Sequence, residues 1–308
     1  MTPATHAAPP ASHAIMAPLH QSLYRTDAIE IPTIIELRTV FADNALRGAR
    51  RMTKRPYICG AVAAILISAA SADASEPGCR NEQFKNTSYT VCSFDLERDE
   101  LQVFWRDESG APFRTFSALS DALAKQDREL VFATNGGMYQ DDLSPVGLLV
   151  IDGTEHKAAN TIDIKGNVVP NFYKKPNGVF YVGDGKAGVL ETGAFLKQKP
   201  SVDFATQSGP MLVVDGKIHP AFIVDSPYVN RRNGVCASSP TKVHLAITDT
   251  VVNFDDFARF FRDHLGCDNA LFLDGGSAPG IYLPERERND APGHGGYGPI
   301  IAVIKEKP

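Results

Sequence analysis

From Tyr89 onward the chain is a succession of short apolar segments separated by turn residues, and this spacing constrains the fold more than anything else in the 308-residue sequence. YTVCSF, LQVFW, ELVFAT, VGLLVI, NGVFYV, GPMLVV, KVHLAIT, NALFLD and PIIAVI each have the length of a single strand and stop before a helix could complete its turns. Asp152-Gly153, Asp184-Gly185 and Asp215-Gly216 each fall between two apolar stretches. An Asp-Gly pair accepts positive φ in a tight turn, so these sites predict hairpins and antiparallel pairing. Two helices stand out. Ser117–Gln126 is short, with Ser117 as its cap. Asn253–Gly266 carries Phe254, Phe257, Phe260, Phe261 and Leu265 at helical spacing, with Asn253 to cap it and Gly266 to end it. The second helix lies between KVHLAIT and NALFLD. The expected class is α+β: a mixed, largely antiparallel twisted sheet with hairpins, a C-terminal strand–helix–strand unit and few helices.

Upstream of the strands the sequence changes character. Tyr57–Ala70 is an uncharged apolar run of fourteen residues, too short at 1.5 Å per residue to cross a hydrocarbon layer of roughly 30 Å. Arg50, Arg51, Lys54 and Arg55 precede it and Ala72-Asp73-Ala74 follows it, which completes the basic, apolar and small-x-small regions of a secretory signal. Residues 52–74 are therefore expected to be a signal peptide cleaved after Ala74. That leaves no stable membrane anchor and a periplasmic or secreted body, residues 75–308, forming a single domain. Residues 1–51, poor in aromatics and carrying Pro3, Pro9, Pro10, Pro18 and Pro32, read as a disordered over-extension of the start, Met52 being the better initiator. The net charge of -5, without a cluster of Lys and Arg, excludes nucleic acid as an expected partner.

Cys59 leaves with the signal, so Cys79, Cys92, Cys236 and Cys267 remain, an even number in an oxidising compartment. They allow three pairings. Cys79–Cys92 with Cys236–Cys267 is the favoured one, because the first bond closes a short loop where the new N-terminus would otherwise fray; the other two stay open. No Cys-x-x-Cys or zinc-like spacing with His occurs.

Four segments are not accounted for as plain strands or turns. Asn135-Gly136-Gly137-Met138-Tyr139 follows the strand ELVFAT; the glycines let backbone approach something closely, and Asn135 offers both a donor and an acceptor. Gln207-Ser208-Gly209-Pro210 leads into MLVVDG, where a bulge or bend explains it equally well. Arg231-Arg232-Asn233-Gly234-Val235 places two cations beside a tight turn, for which a solvated loop is the ordinary explanation. Leu273-Asp274-Gly275-Gly276-Ser277 follows the strand NALF, and a carboxylate at a strand's C-terminal end beside glycines is where ligands tend to sit. A Ser/His/Asp hydrolase is not supported: Gly-x-Ser-x-Gly is missing, and His219, His244 and His294 have no triad context.

Taken in order, FATNGGMY with its following Pro-x-Gly, QSGPMLV, RNGV and VNFDDFARFFRDHLGCDNALFLDGGS resemble the phosphodiester glycosidase family, over roughly Tyr89–Ile304, and its exported bacterial branch in particular. The resemblance implies an enzyme that splits the sugar C1–O bond of an α-linked N-acetylglucosamine phosphodiester and leaves a phosphomonoester. The family's lysosomal type has a longer Asp-Gly-Gly-Gly-Ser-Ser run than Asp274-Gly275-Gly276-Ser277-Ala278-Pro279, so sugar specificity does not carry over.

The residue types suit that chemistry. Glycoside cleavage ordinarily uses two carboxylates, one of them to protonate a poor leaving group. Phosphate departs readily as an anion, so the demand falls on cationic stabilisation of phosphate and on a carboxylate at the anomeric carbon or its water. Arg232, with its planar fork, is the expected phosphate group and Asp274 the expected carboxylate. Asp249, at the end of KVHLAIT, is the second catalytic candidate or a metal ligand. Asn135, Gly136, Gly137, Gln207, Ser208, Gly209, Asn233, Gly275, Gly276 and Ser277 are expected to bind a phosphosugar or phosphoglycan substrate. No cofactor is required by the sequence, although a divalent cation on Asp249 or Asp274 is compatible with it. The alternative function is a non-catalytic carbohydrate-binding or envelope structural protein. A third is phosphorus–oxygen cleavage, which releases sugar-1-phosphate.

Overall fold

A computed structural model describes residues 78–166 and 168–307. The expectations for residues 1–51 and 52–74 lie outside the described residues. The strands sort into three antiparallel sheets. The first has seven: β1 (Gly78–Phe84), β2 (Thr87–Asp95), β10 (Met211–Val214), β11 (Lys217–Ile218), β12 (Arg232–Ala237), β13 (Lys242–Thr248) and β14 (Ala270–Gly275), in the order β1-β2-β13-β12-β14-β10-β11. The second, ordered β16-β15-β4-β17-β3, holds β3 (Glu100–Phe104), β4 (Arg128–Asn135), β15 (Ile281–Leu283), β16 (Arg288–Asn289) and β17 (Ile300–Glu306). The third, ordered β6-β5-β9-β7-β8, holds β5 (Leu149–Ile151), β6 (Thr154–Lys157), β7 (Gly178–Gly183), β8 (Lys186–Glu191) and β9 (Phe204–Ser208).

One core joins them. Leu245 and Leu271 from the first sheet, Phe132 and Ile301 from the second and Phe180 and Phe204 from the third pack into a single buried cluster. The opposite face of each sheet is covered by its own short helix, giving three outer cores. Alternation along each strand thus feeds two hydrophobic layers, which is why the strands read as nearly continuous apolar runs.

All three Asp-Gly sites are hairpin turns with positive φ at both residues: Asp152 +49° and Gly153 +69°, Asp184 +51° and Gly185 +67°, Asp215 +47° and Gly216 +73°. They join β5 to β6, β7 to β8 and β10 to β11. The expected disulfides Cys79–Cys92 and Cys236–Cys267 are both present, the first between directly paired residues of β1 and β2.

The helices follow the sequence with local changes. α1 (Phe116–Ala124) begins one residue earlier than expected, because the hydroxyl of Thr115, not Ser117, accepts the Ala118 N–H. α2 (Thr192–Gln198) was not expected; it is short, has Gly193 in its first turn and is capped by the carboxylate of Glu191. α3 (Phe254–Arg259) is capped by Asn253 as its sequence indicates, then widens into a π-helical turn over Phe260–His264 before Gly266 at φ +68°. The strand–helix–strand unit β13–α3–β14 is present with β12 inserted between its two strands. That insertion brings the RNG and DGG segments side by side.

Candidate active site

The four segments meet at one end of the shared core, and a closed ring of hydrogen bonds ties them together. The Met138 amide donates to Ser208 Oγ at 3.4 Å, and Ser208 Oγ–H donates to the Leu273 carbonyl at 2.7 Å. The next residue's amide, Asp274 N–H, donates to Asn233 Oδ1 at 3.0 Å, and Asn233 Nδ2 donates to Asn135 Oδ1 at 2.9 Å, three residues before Met138. Each of the three sheets contributes a strand end: β4, β9, and the β12–β14 pair. Asn135, Ser208 and Asn233 are each at most 1% exposed, so their side-chain polar groups need these internal partners. Asn135 Oδ1 also accepts the Gly280 amide at 3.0 Å, and Asn233 Nδ2 also reaches Thr134 Oγ1 at 3.0 Å.

A bulge aims the carboxylate. Phe272 pairs with Gly234 and Asp274 with Asn233, so Leu273 is an extra residue on β14. Without it, strict alternation would send Asp274 to the same face as Phe272, towards α3. With it, Asp274 shares the face of Asn233, while Gly275 takes the α3 side, where a Cβ would lie 3.0 Å from Phe272. The surplus Leu273 carbonyl is the one that Ser208 satisfies. Asp274 is 5% exposed, and burial pushes its carboxyl up to about 7 against the opposing pull of the Gly275 N–H, which donates to Oδ1 at 2.8 Å.

The other expected binding residues divide into two groups. Gly136, Gly137 and Gly209 serve close packing: Cβ atoms there would meet Pro299 O at 3.1 Å, Gln207 O at 2.2 Å and Asn177 Cβ at 2.6 Å. The Gly136 amide donates to Pro299 O and the Gly137 amide to Thr206 Oγ1, so both are engaged within the protein. Gln207 is likewise engaged at both ends of its side chain, accepting the Leu148 and Asn160 amides and donating to Asn160 O and Thr192 Oγ1. Gly276, at φ +72°, and Ser277 are exposed at the rim just beyond Asp274.

Arg232 and Asp249 point elsewhere. Arg232 pairs with Gly275, so its backbone lies beside the ring, but its side chain follows the Gly234 and Cys236 face towards α3. There Nε donates to Val252 O at 3.0 Å and the guanidinium lies 3.6 Å from the Phe254 ring centroid. Lys174 Nζ approaches the same ring at 5.8 Å. Asp249 joins an ion cluster with Arg288 at 2.9 Å and the Thr90 hydroxyl; Arg288 continues to Asp290, which Arg231 reaches at 3.5 Å. The ring of hydrogen bonds therefore gathers Asp274 with Asn233 and Asn135 and leaves Asp249 outside. Among the described residues no group of three or more His, Cys, Asp or Glu side chains is arranged to hold a metal ion.

The sequence model of the phosphodiester glycosidase family matches residues 128–300. The chain belongs to the phosphodiester glycosidase family. It is 31% identical over 188 residues to the uncharacterized Escherichia coli K12 protein YigE, covering 61% of this chain and 70% of that one. Its structure aligns with the catalytic domain of zebrafish N-acetylglucosamine-1-phosphodiester α-N-acetylglucosaminidase, auto-inhibited by its pro-peptide. That alignment has TM-score 0.49 and 15% identity, with 73% of this chain and 81% of that one covered. A hypothetical protein from Synechocystis aligns at TM-score 0.48 and 11% identity over 73% of this chain and 61% of that one. The match begins at β4 and ends where β17 begins, so it contains all four segments of the ring.

Several contacts around the ring carried little signal in sequence. Ser208 was legible as part of a motif, but its partner is a main-chain carbonyl released by the bulge. Tyr139 stacks on His294 with centroids 5.6 Å apart, which attaches the Gly-rich loop before β17 to the first segment. His244 is a satisfied strand residue: both ring nitrogens contact serine hydroxyls, Ser93 and Ser238, at 2.8 Å, and burial lowers its pKa to about 4. His219 is held between the Lys175 carbonyl and the Ala221 amide. Neither histidine belongs to the ring.

Proposed function

We propose that the protein is an exported hydrolase that cleaves the sugar C1–O bond of a sugar-1-phosphodiester, α-GlcNAc-like, in envelope or extracellular glycans. The observation that carries this reading is the buried carboxyl of Asp274, aimed by a bulge and held among strand ends from all three sheets. A carboxyl poised near 7 exchanges a proton readily at neutral pH, which suits a general base. In the proposed step the C1–O bond breaks as a water oxygen bonds to C1, Asp274 takes the water's proton, and the phosphomonoester leaves as an anion without needing one. The leaving group's low proton affinity removes the requirement for a second carboxyl acid, in keeping with Asp249 lying in its own ion cluster.

Asn135 and Asn233 keep the strand ends in register, so that the carboxyl needs no reorganisation when substrate arrives. Arg232, buried on the α3 face and stacked on Phe254, stands outside this step. The test is hydrolysis of an α-GlcNAc-1-phosphoryl ester in ¹⁸O water. Free N-acetylglucosamine with the label on C1 is expected. Label on phosphate, with release of sugar-1-phosphate, overturns the bond assignment, and binding without any release overturns the enzyme.

A further inference from the structure

Arg231 and Arg232 are neighbours in sequence, yet they serve opposite faces of the first sheet. Arg232 is turned to α3, whereas Arg231 shares the inner face with Asn233 and Asp274, since alternate residues of an extended segment point the same way. Two contacts fix that placement. The Arg231 carbonyl accepts the Gly276 amide at 3.0 Å, which carries the β12–β14 pairing one step beyond Arg232 and Gly275. Its guanidinium meets Asp290, whose carboxylate also accepts the amide of Ile281, a residue of the shared core. Asp274 lies opposite Asn233, so Arg231 is its diagonal neighbour, at a spacing of about 7–8 Å that a long side chain spans.

Arg231 also keeps donors to spare. Both oxygens of Asp290 are already gripped by Arg288, at 3.1 Å each, and Arg288 continues to Asp249 and the Thr90 hydroxyl. Arg231 adds only a contact of 3.5 Å to Asp290 and a hydrogen bond of 3.4 Å from Nε to the Thr248 carbonyl; among the described residues its Nη1 has no partner. Its side chain is 37% exposed, whereas Arg232 is buried. A guanidinium held by long contacts, open to solvent and diagonal to a carboxyl, fits an anion whose phosphorus is two bonds from the carbon that the carboxyl serves.

We infer, on the reading proposed above, that Arg231 binds the substrate's phosphodiester: its guanidinium donates to the non-bridging oxygens while Asp274 acts at C1, and Asp290, balanced by Arg288, positions it. The bonds broken and formed are the same as before. When the C1–O bond breaks, its electron pair stays on the bridging oxygen, and the charge that accumulates on the departing phosphate is met by the same donors. The site therefore favours a sugar linked through phosphate over one linked to a neutral group.

The test uses two substrates and one ligand. Sugar release from the ethyl ester of α-GlcNAc-1-phosphate and from an aryl glycoside of the same sugar is measured for the wild type, Arg231→Ala and Arg231→Lys, and binding of ethyl phosphate is followed by calorimetry. Arg231→Ala is expected to lower kcat/KM for the phosphodiester by about ten- to a hundredfold and to weaken ethyl phosphate about tenfold. The aryl glycoside should lose far less, less than about threefold, and so reports that the fold and Asp274 are intact. Arg231→Lys, which keeps the charge and loses the planar fork, is expected to fall between the two. Equal losses on both substrates overturn the inference. So does ethyl phosphate binding that is absent, or that Arg231→Ala leaves unaltered. The inference and the proposed hydrolysis fail separately. Ethyl phosphate binding that depends on Arg231, without sugar release from either substrate, leaves a phosphate site and no enzyme. Release from the phosphodiester at the same rate in Arg231→Ala leaves the hydrolysis and removes this site.

Discussion

The two faces of the first sheet, at the end where β12 begins and β14 stops, solve opposite problems. On the inner face Asn135, Asn233 and Asp274 are polar groups buried between three sheets, and their amide and carbonyl groups satisfy one another. On the α3 face Arg232 is buried against an aromatic ring, its charge met by the Phe254 π-face and the Val252 carbonyl. One residue of register separates the two. The lesson is that a single extra residue, Leu273, decides which side of a sheet a carboxylate serves, and that neighbours in sequence and in pairing need not share a surface.

The largest difference between the faces concerns charge and pH. Asp274 holds its proton in the folded state up to about 7, against 3.8 ordinarily, so the folded protein binds more protons than the unfolded chain between those values. Stability should therefore fall as pH rises from about 4 to about 7, by roughly 4 kcal/mol at most, and Asp274→Asn should remove that slope. Chemical denaturation of both proteins at pH 4 and pH 8 checks this; parallel curves would mean the carboxyl is not desolvated.

Next comes the division of labour. Arg232→Ala takes a buried guanidinium from the Phe254 face and the Val252 carbonyl, so it should cost about 2–4 kcal/mol in denaturant unfolding and slow release from a phosphodiester and from an aryl glycoside of the same sugar to a similar degree. A loss confined to the phosphodiester would restore Arg232 as a phosphate group.

A smaller effect is expected from the ring itself. Ser208→Ala leaves the Leu273 carbonyl buried without its donor, and should cost about 1–3 kcal/mol in thermal or denaturant unfolding. If the bulge is what aims Asp274, the same variant should also lower kcat with little change in KM. A stable variant with normal kcat would show that the bulge holds without the serine.

The smallest belongs to Asp249. Its ion pair with Arg288 is partly exposed, with the two side chains 30% and 25% accessible, so Asp249→Asn should cost no more than about 1 kcal/mol and change sugar release by less than tenfold. A loss of a thousandfold would restore it as the second carboxylate.

Most of the scaffold was legible in sequence because it depends on local rules. Each Asp-Gly pair makes a hairpin for reasons contained in two residues, Asn253 caps α3 through its own side chain, and the cysteines pair across neighbouring elements. What stayed hidden depends on how distant segments meet. The division into three sheets follows from which strand edges find partners, and no strand's own composition records that. The insertion of β12 between β13 and β14 is a matter of topology. α2 begins with Thr-Gly after a glutamate cap, a weak signal for a helix. The four motifs of the site could be picked out because glycines and amides there exceed what turns require. Their roles could not: Gly137 is needed to clear Gln207 O, and Asp274 is aimed by a carbonyl contact that involves no distinctive residue type.

The account rests on Asp274 as the group that activates water at the anomeric carbon, and Asp274→Asn tests it most directly. The rate of sugar release from an α-GlcNAc-1-phosphodiester should fall by about 10²–10⁴, with the variant's fold intact. The wild-type rate should rise with pH through a limb near 7. A folded variant that releases sugar at the wild-type rate, with the same pH profile, would contradict it.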